Sequence, residues 1–155
     1  MSAQPISPRL RRLGYLLSSV PIMLASVFSQ PSRAAGTAII WVDHNRFHVE
    51  IAETLEERQQ GLMFRERMPL DHGMLFIQPQ AAPTAFWMKN TLIPLDMLFF
   101  DSDGRLLEIR AETPPCTVPV CPTYSSDGPI KYILELNAGS AQRLGLRPGA
   151  RLRLK

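Results

Sequence analysis

Acidic residues are absent from the first 30 positions of this 155-residue chain. No apolar run reaches the ~20 residues that a membrane-spanning helix needs. Cysteine is scarce, with only Cys116 and Cys121 present. There are no internal repeats or low-complexity tracts, which excludes solenoid and fibrous classes. No glycine-rich loop is placed to cradle a phosphate, and no serine sits in a nucleophile-elbow pattern. The common signatures of nucleotide-dependent enzymes and serine hydrolases are therefore missing.

The acid-free start has a shape of its own. Arg9, Arg11 and Arg12 form a positive beginning. Leu13 to Phe28 follows as an apolar run broken only by Gly14, Ser18, Ser19, Pro21 and Ser26. Ser32-Arg33-Ala34 then puts small residues at the positions a signal peptidase requires. Those three parts in that order predict a secretory signal over 1–34, cut after Ala34. The competing reading is a retained membrane anchor, which the shortness of the run disfavours. Arg11-Arg12 is a twin arginine in poorly matching flanks, so the general secretory route is expected. No cysteine near the cut offers a site for lipidation.

The leader distorts the overall balance. The full chain carries a formal net charge of +3. Four of its 17 basic residues, Arg9, Arg11, Arg12 and Arg33, fall in the leader, leaving 13 against 14 acidic residues and a net charge of −1. No basic stripe remains to neutralise phosphates, so a nucleic-acid partner is not expected. Residues 35–155 are enough for a single domain with its own core. The protein is expected outside the cytoplasm, periplasmic or extracellular, with a membrane partner only if the leader is retained.

Both cysteines lie in a proline-rich loop, Pro114 to Pro122. In an exported chain an even count favours a disulfide, which would pin a segment unable to pair well as a strand. A metal or redox pair is the alternative. The C-x4-C spacing and the absence of a nearby histidine weaken it.

Ala38 to Val42 and Phe47 to Ala52 are rich in β-branched and aromatic residues and predict a hairpin turning at Asp43-His44-Asn45-Arg46. Thr54 to Met63 predicts a helix opened by a capping box of Thr54 and Glu57. The period then becomes strand-like: Gly73 to Ile77, Ala85 to Lys89, Leu95 to Asp101, Arg105 to Ala111 and Ile130 to Leu136. Ser102-Asp103-Gly104 supplies a tight turn. Ser140 is expected to cap a short helix over 141–144 with Gly145 after it, and Ala150 to Leu154 a last strand. The fold class is therefore α+β and mostly β: a small barrel or strongly curved sheet of short strands with two short helices.

Four segments in this order resemble one family. They are Gly61-Leu62-Met63-Phe64-Arg65, Gly73-Met74-Leu75-Phe76, Phe86-Trp87-Met88-Lys89-Asn90-Thr91 with Pro94-Leu95-Asp96, and Tyr132 to Gly139. Together they resemble the domain-of-unknown-function family 192 (DUF192) from about Val49 to Leu154. The loop of Cys116 and Cys121 with Tyr124 resembles a bacterial variant. The resemblance implies a small β-rich domain, often exported, with no assigned enzyme activity and no catalytic residues to carry over.

Trp87, Lys89, Asn90, Asp96 and Glu135 are the candidate ligand-binding residues, because polar groups here interrupt apolar strands. In one reading Lys89 pairs with Asp96 or Glu135 and fixes the register of the sheet. In the other, Trp87, Lys89, Asn90 and Asp96 line a cleft for a small polar ligand, with Trp87 as a stacking face. No nucleophile with an oriented base is visible, so no catalytic residue is assigned. Met63, Met68, Met74, Met88 and Met97 suit Cu(I) chemically, but core filling is the favoured reading. His44, His48 and His72 are scattered and expected at the surface. No metal or cofactor is expected. The leading function is a non-enzymatic binding or accessory domain of the cell envelope, acting on a small molecule, glycan or envelope protein. An enzyme using Lys89 and Asp96 and a purely structural module are the alternatives.

Overall fold

The structure is a computed structural model that describes residues 36–155. The leader expected over 1–34 lies outside the described residues. Strand β1 (Gly36–Val42) turns at Asp43 and His44 into β2 (Asn45–Ala52). The turn is two residues shorter than expected, because Asp43 takes φ 53° and closes it at once. Helix α1 follows at Leu55–Gln60, then β3 (His72–Ala82), β4 (Ala85–Trp87), β5 (Leu95–Phe100), β6 (Leu106–Thr113), β7 (Thr123–Ser125) and β8 (Ile130–Asn137). Helix α2 (Ser140–Arg143) and β9 (Leu152–Leu154) complete the order.

Among the described residues, seven strands form one curled sheet in the order β6-β5-β8-β3-β2-β1-β9. All neighbours are antiparallel except β2 and β3. The edges, β6 and β9, approach each other at one end. There Arg105 bridges Arg151, and the Leu106 N–H donates to the Ala150 carbonyl at 2.8 Å. The result is a half-barrel with a seam. A two-stranded ribbon of β4 and β7 stands apart from it. No helix among the described residues is long and apolar enough to cross a membrane.

The two faces of the sheet carry separate cores, and strand alternation sorts residues between them. Leu75, Leu98, Phe100, Leu134 and Leu136 join one core with Phe47, Val49 and α2. Met74, Phe76, Leu95, Met97, Phe99 and Ile133 join the other with Leu62 and Met88. That double covering explains why all of β5 is buried. Met68, Met74, Met88 and Met97 fill the second core rather than converging on a solvent-open metal site.

Helix α1 opens on the expected capping box: Thr54 Oγ1 accepts from the Glu57 N–H at 3.1 Å, and Glu57 Oε2 accepts from the Thr54 N–H at 3.0 Å. It ends at Gln60 rather than Met63, because Gly61 takes φ 47°. Ser140 is not the cap of α2. Its N-cap is Gly139, which has no side chain, and a distant carboxylate does the capping.

Candidate functional site

Three stretches of chain cover the second core and leave a hollow of about 240 Å³ between them. They are α1 with its following turn, the β4 segment running on to Thr91, and the outer face of β3 and β8. Leu62, Phe76, Phe86 and Trp87 supply apolar wall. Arg58, Lys89 and Glu135 are the ionisable groups that line it.

Glu135 faces this hollow because β8 alternates. Leu134 and Leu136 go to the first core, so Ile133 and Glu135 go to the second side. Its residue is 4% exposed. Met74 on β3 and Met97 on β5 lie opposite it in register, and neither offers a charge. No hydrogen bond or ion pair reaches its side chain among the described residues. Burial therefore pushes its carboxyl up to about 8, and it holds its proton at neutral pH.

Lys89 is exposed and lies over the Trp87 ring, with Nζ 5.2 Å from the centroid. It pairs with neither Asp96 nor Glu135, contrary to one reading of the sequence. Arg58 is half-buried and donates to the Glu53 and Ile77 carbonyls, with no carboxylate partner among the described residues. Met88 is buried beneath, and its carbonyl accepts from the Cys116 N–H at 3.4 Å. Cys116 and Cys121 are joined by a disulfide. The crosslinked loop thus supports the strand that carries Trp87.

Asp96 is placed elsewhere. It is fully buried on the opposite face of the sheet, and its carboxylate oxygens accept three backbone N–H groups. Oδ1 takes Glu112 at 2.8 Å and Gly139 at 3.1 Å; Oδ2 takes Ala141 at 2.7 Å. Both oxygens accept backbone N–H groups, so Asp96 ties β5, β6 and α2 together, and it is not a member of the hollow. Asn90 is exposed, with φ 56°, and its Nδ2 contacts Met63 Sδ at 3.7 Å. The structure therefore brings Trp87, Lys89 and Glu135 to one place and leaves Asn90 and Asp96 out. Arg58, Phe76 and Phe86 belong to the hollow and were not singled out by the sequence. Arg58 looks like any solvent-facing helix residue, and only the fold turns it inward.

A second hollow of about 430 Å³ lies on β1, β2 and β3. His48 and His72 line it, stacked with ring centroids 5.2 Å apart across the parallel pair. They are neighbours rather than scattered, because β2 and β3 pair in that register. His72 also holds the exposed Asp71 carboxyl below its usual range through a side-chain hydrogen bond. Glu50, the carboxylate in this hollow, is already paired with Arg65 at 2.6 Å. No group of three or more His, Cys, Asp or Glu that could hold a metal occurs among the described residues.

The model of the family DUF192, described as an uncharacterised ACR, matches residues 38–154. A Sinorhizobium meliloti protein provisionally named a transcription regulator is 38% identical, with a TM-score of 0.75, over 80% of this chain and 98% of that one. A Novosphingobium aromaticivorans protein of unknown function is 33% identical, with a TM-score of 0.70, over 80% of this chain and 89% of that one. No curated protein matches the chain.

Proposed function

The chain belongs to the DUF192 family, a family of unknown function, and from that premise we propose that it is an exported, non-enzymatic binding domain of the cell envelope whose ligand is a small polar molecule held against Glu135. The observation that carries this reading is the unpartnered carboxyl at the bottom of the hollow. A buried carboxyl without a hydrogen bond destabilises a fold, and native proteins keep such groups chiefly at functional sites. Trp87 and Phe86 supply the flat apolar surface that small-molecule sites combine with a few polar groups. Binding is favoured over catalysis because the hydroxyls that line the hollow, Thr84 and Thr91, donate to backbone carbonyls and no hydrogen bond among the described residues joins them to Glu135.

Export is supported by the predicted leader, and the Cys116–Cys121 bridge is the crosslink that oxidising compartments preserve. The regulator name of the Sinorhizobium relative does not extend well to this chain. The domain after the leader has a net charge of −1 and no basic stripe for DNA.

The test is native mass spectrometry of the protein purified without denaturation from the exported fraction. A bound small molecule is expected in the wild type and lost in Glu135→Gln and Trp87→Ala, both of which should keep the wild-type melting temperature at pH 5. Recovery of the protein only in the cytosol, or equal retention of the molecule by both variants, overturns the reading.

A further inference from the structure

We infer that the Glu135 hollow takes a small zwitterion, an α-amino acid or close analogue, with its ammonium on Glu135 and its carboxylate towards Arg58 and Lys89. This rests on the binding reading above and narrows it.

The layout of charge is the argument. One carboxyl sits at the buried end, from β8. A half-buried guanidinium from α1 and an exposed ammonium from the segment after β4 are the charged groups lining the hollow. The strands packed beside Glu135 contribute Met74 and Met97 at its level, so no further charge faces it. None of the three ionisable groups is paired with another. Glu135 has no partner, Arg58 is held by two carbonyls, and Lys89 rests on Trp87.

A simple amine would satisfy Glu135 and then face two uncompensated cations. A simple anion would suit the cations and could accept from the carboxyl O–H, but it would leave the other carboxyl oxygen without a donor. A neutral sugar could pair with the protonated carboxyl, but it would leave both cations without a counter-charge. A molecule with both signs on adjoining carbons offers N–H donors to both carboxyl oxygens, once the proton has left, and a counter-charge to the two cations. The remaining wall is apolar, with Leu62, Phe76 and Phe86, which suits an apolar side chain. The volume of about 240 Å³ lies below the drug-sized range and fits a metabolite of amino-acid size.

Binding of an ammonium replaces the proton that the empty site holds. The Glu135 carboxyl gives its proton to solvent and becomes the carboxylate that receives the N–H donors. No covalent bond to the ligand forms.

Isothermal titration of the exported protein, unfolded, washed free of bound molecules and refolded with its disulfide intact, tests this with the standard amino acids as probes. The expected result is saturable binding of at least one neutral amino acid. Its deaminated and decarboxylated counterparts should bind at least about tenfold more weakly, the value of one lost charge contact. Close to one proton should be released at pH 7, and affinity should rise roughly fiftyfold between pH 6 and pH 8. Glu135→Gln should abolish the proton release. Equal binding of the decarboxylated or deaminated probe, or binding without proton release, sinks the zwitterion and leaves the binding site standing. No saturation by any amino acid at millimolar concentration also sinks it; the small-molecule reading then stands or falls on what the native protein carries.

Discussion

Asp96 and Glu135 are both carboxylates inside apolar strands, and their environments send them to opposite fates. Asp96 meets three backbone N–H groups that no other residue caps. Replacing it by alanine leaves those donors dry, and the expected loss is about 3–5 kcal/mol, read as a lower urea midpoint with an unchanged slope. Glu135 meets none. Its folded pKa is raised from 4.5 to about 8, so the folded state binds more protons than the unfolded state in that window. Stability must then fall as pH rises from about 4.5 to about 8, by as much as roughly 4–5 kcal/mol in total. Glu135→Gln should match the wild type at pH 5 and melt at a higher temperature at pH 8. A variant with the wild-type pH slope would show that Glu135 is ionised throughout. Strand alternation puts Ile133 and Glu135 on one face and Leu134 and Leu136 on the other. It could not say which face had room beneath it, because that depends on α1 and β4 arriving from elsewhere.

Elements built on near neighbours were legible, and those built on distant ones were not. The capping box of Thr54 and Glu57 spans three residues and is written in the chain. The cap of α2 is not, because Asp96 reaches it across 43 and 45 residues. In the β4–β7 ribbon, which pairs Phe86 with Tyr124, β4 lies within the strand expected over Ala85 to Lys89, but β7 had no local signal, since proline dominates the loop leading into it. The disulfide loop before β7 was read from its residues and the compartment they implied. Its hydrogen bond to Met88 makes it a support for the segment that presents Trp87. Changing Cys116 and Cys121 together to serine should cost about 2 kcal/mol for so short a loop. Beyond that loss, ligand affinity should fall and Trp87 fluorescence should shift to the red. Lower stability with unchanged affinity would mean the loop only staples the fold.

For the molecule as a whole, the seam and the hollow belong to different sides of one sheet. Leu106, Ala150 and Leu152, which close the seam, pack in the first core with α2. The hollow lies on the second, over Phe76 and beneath α1. At the seam Gly104 takes φ 71°, and a Cβ there would stand 2.7 Å from the Leu152 carbonyl oxygen. That oxygen belongs to backbone held by its own bond, the Leu152 N–H to the Gly104 carbonyl at 2.8 Å. Gly104→Ala must therefore push β9 away from β6 as well as strain its own turn. The expected loss is about 2–4 kcal/mol, with faster amide exchange at Leu106, Gly149 and Leu152. Ligand affinity measured well below the melting temperature should stay within twofold of the wild type, about 0.4 kcal/mol, because no wall of the hollow touches the seam. If the seam variant instead lost the ligand while still folded, the curvature of the whole sheet, rather than the local meeting of α1, β4 and β8, would be what shapes the hollow.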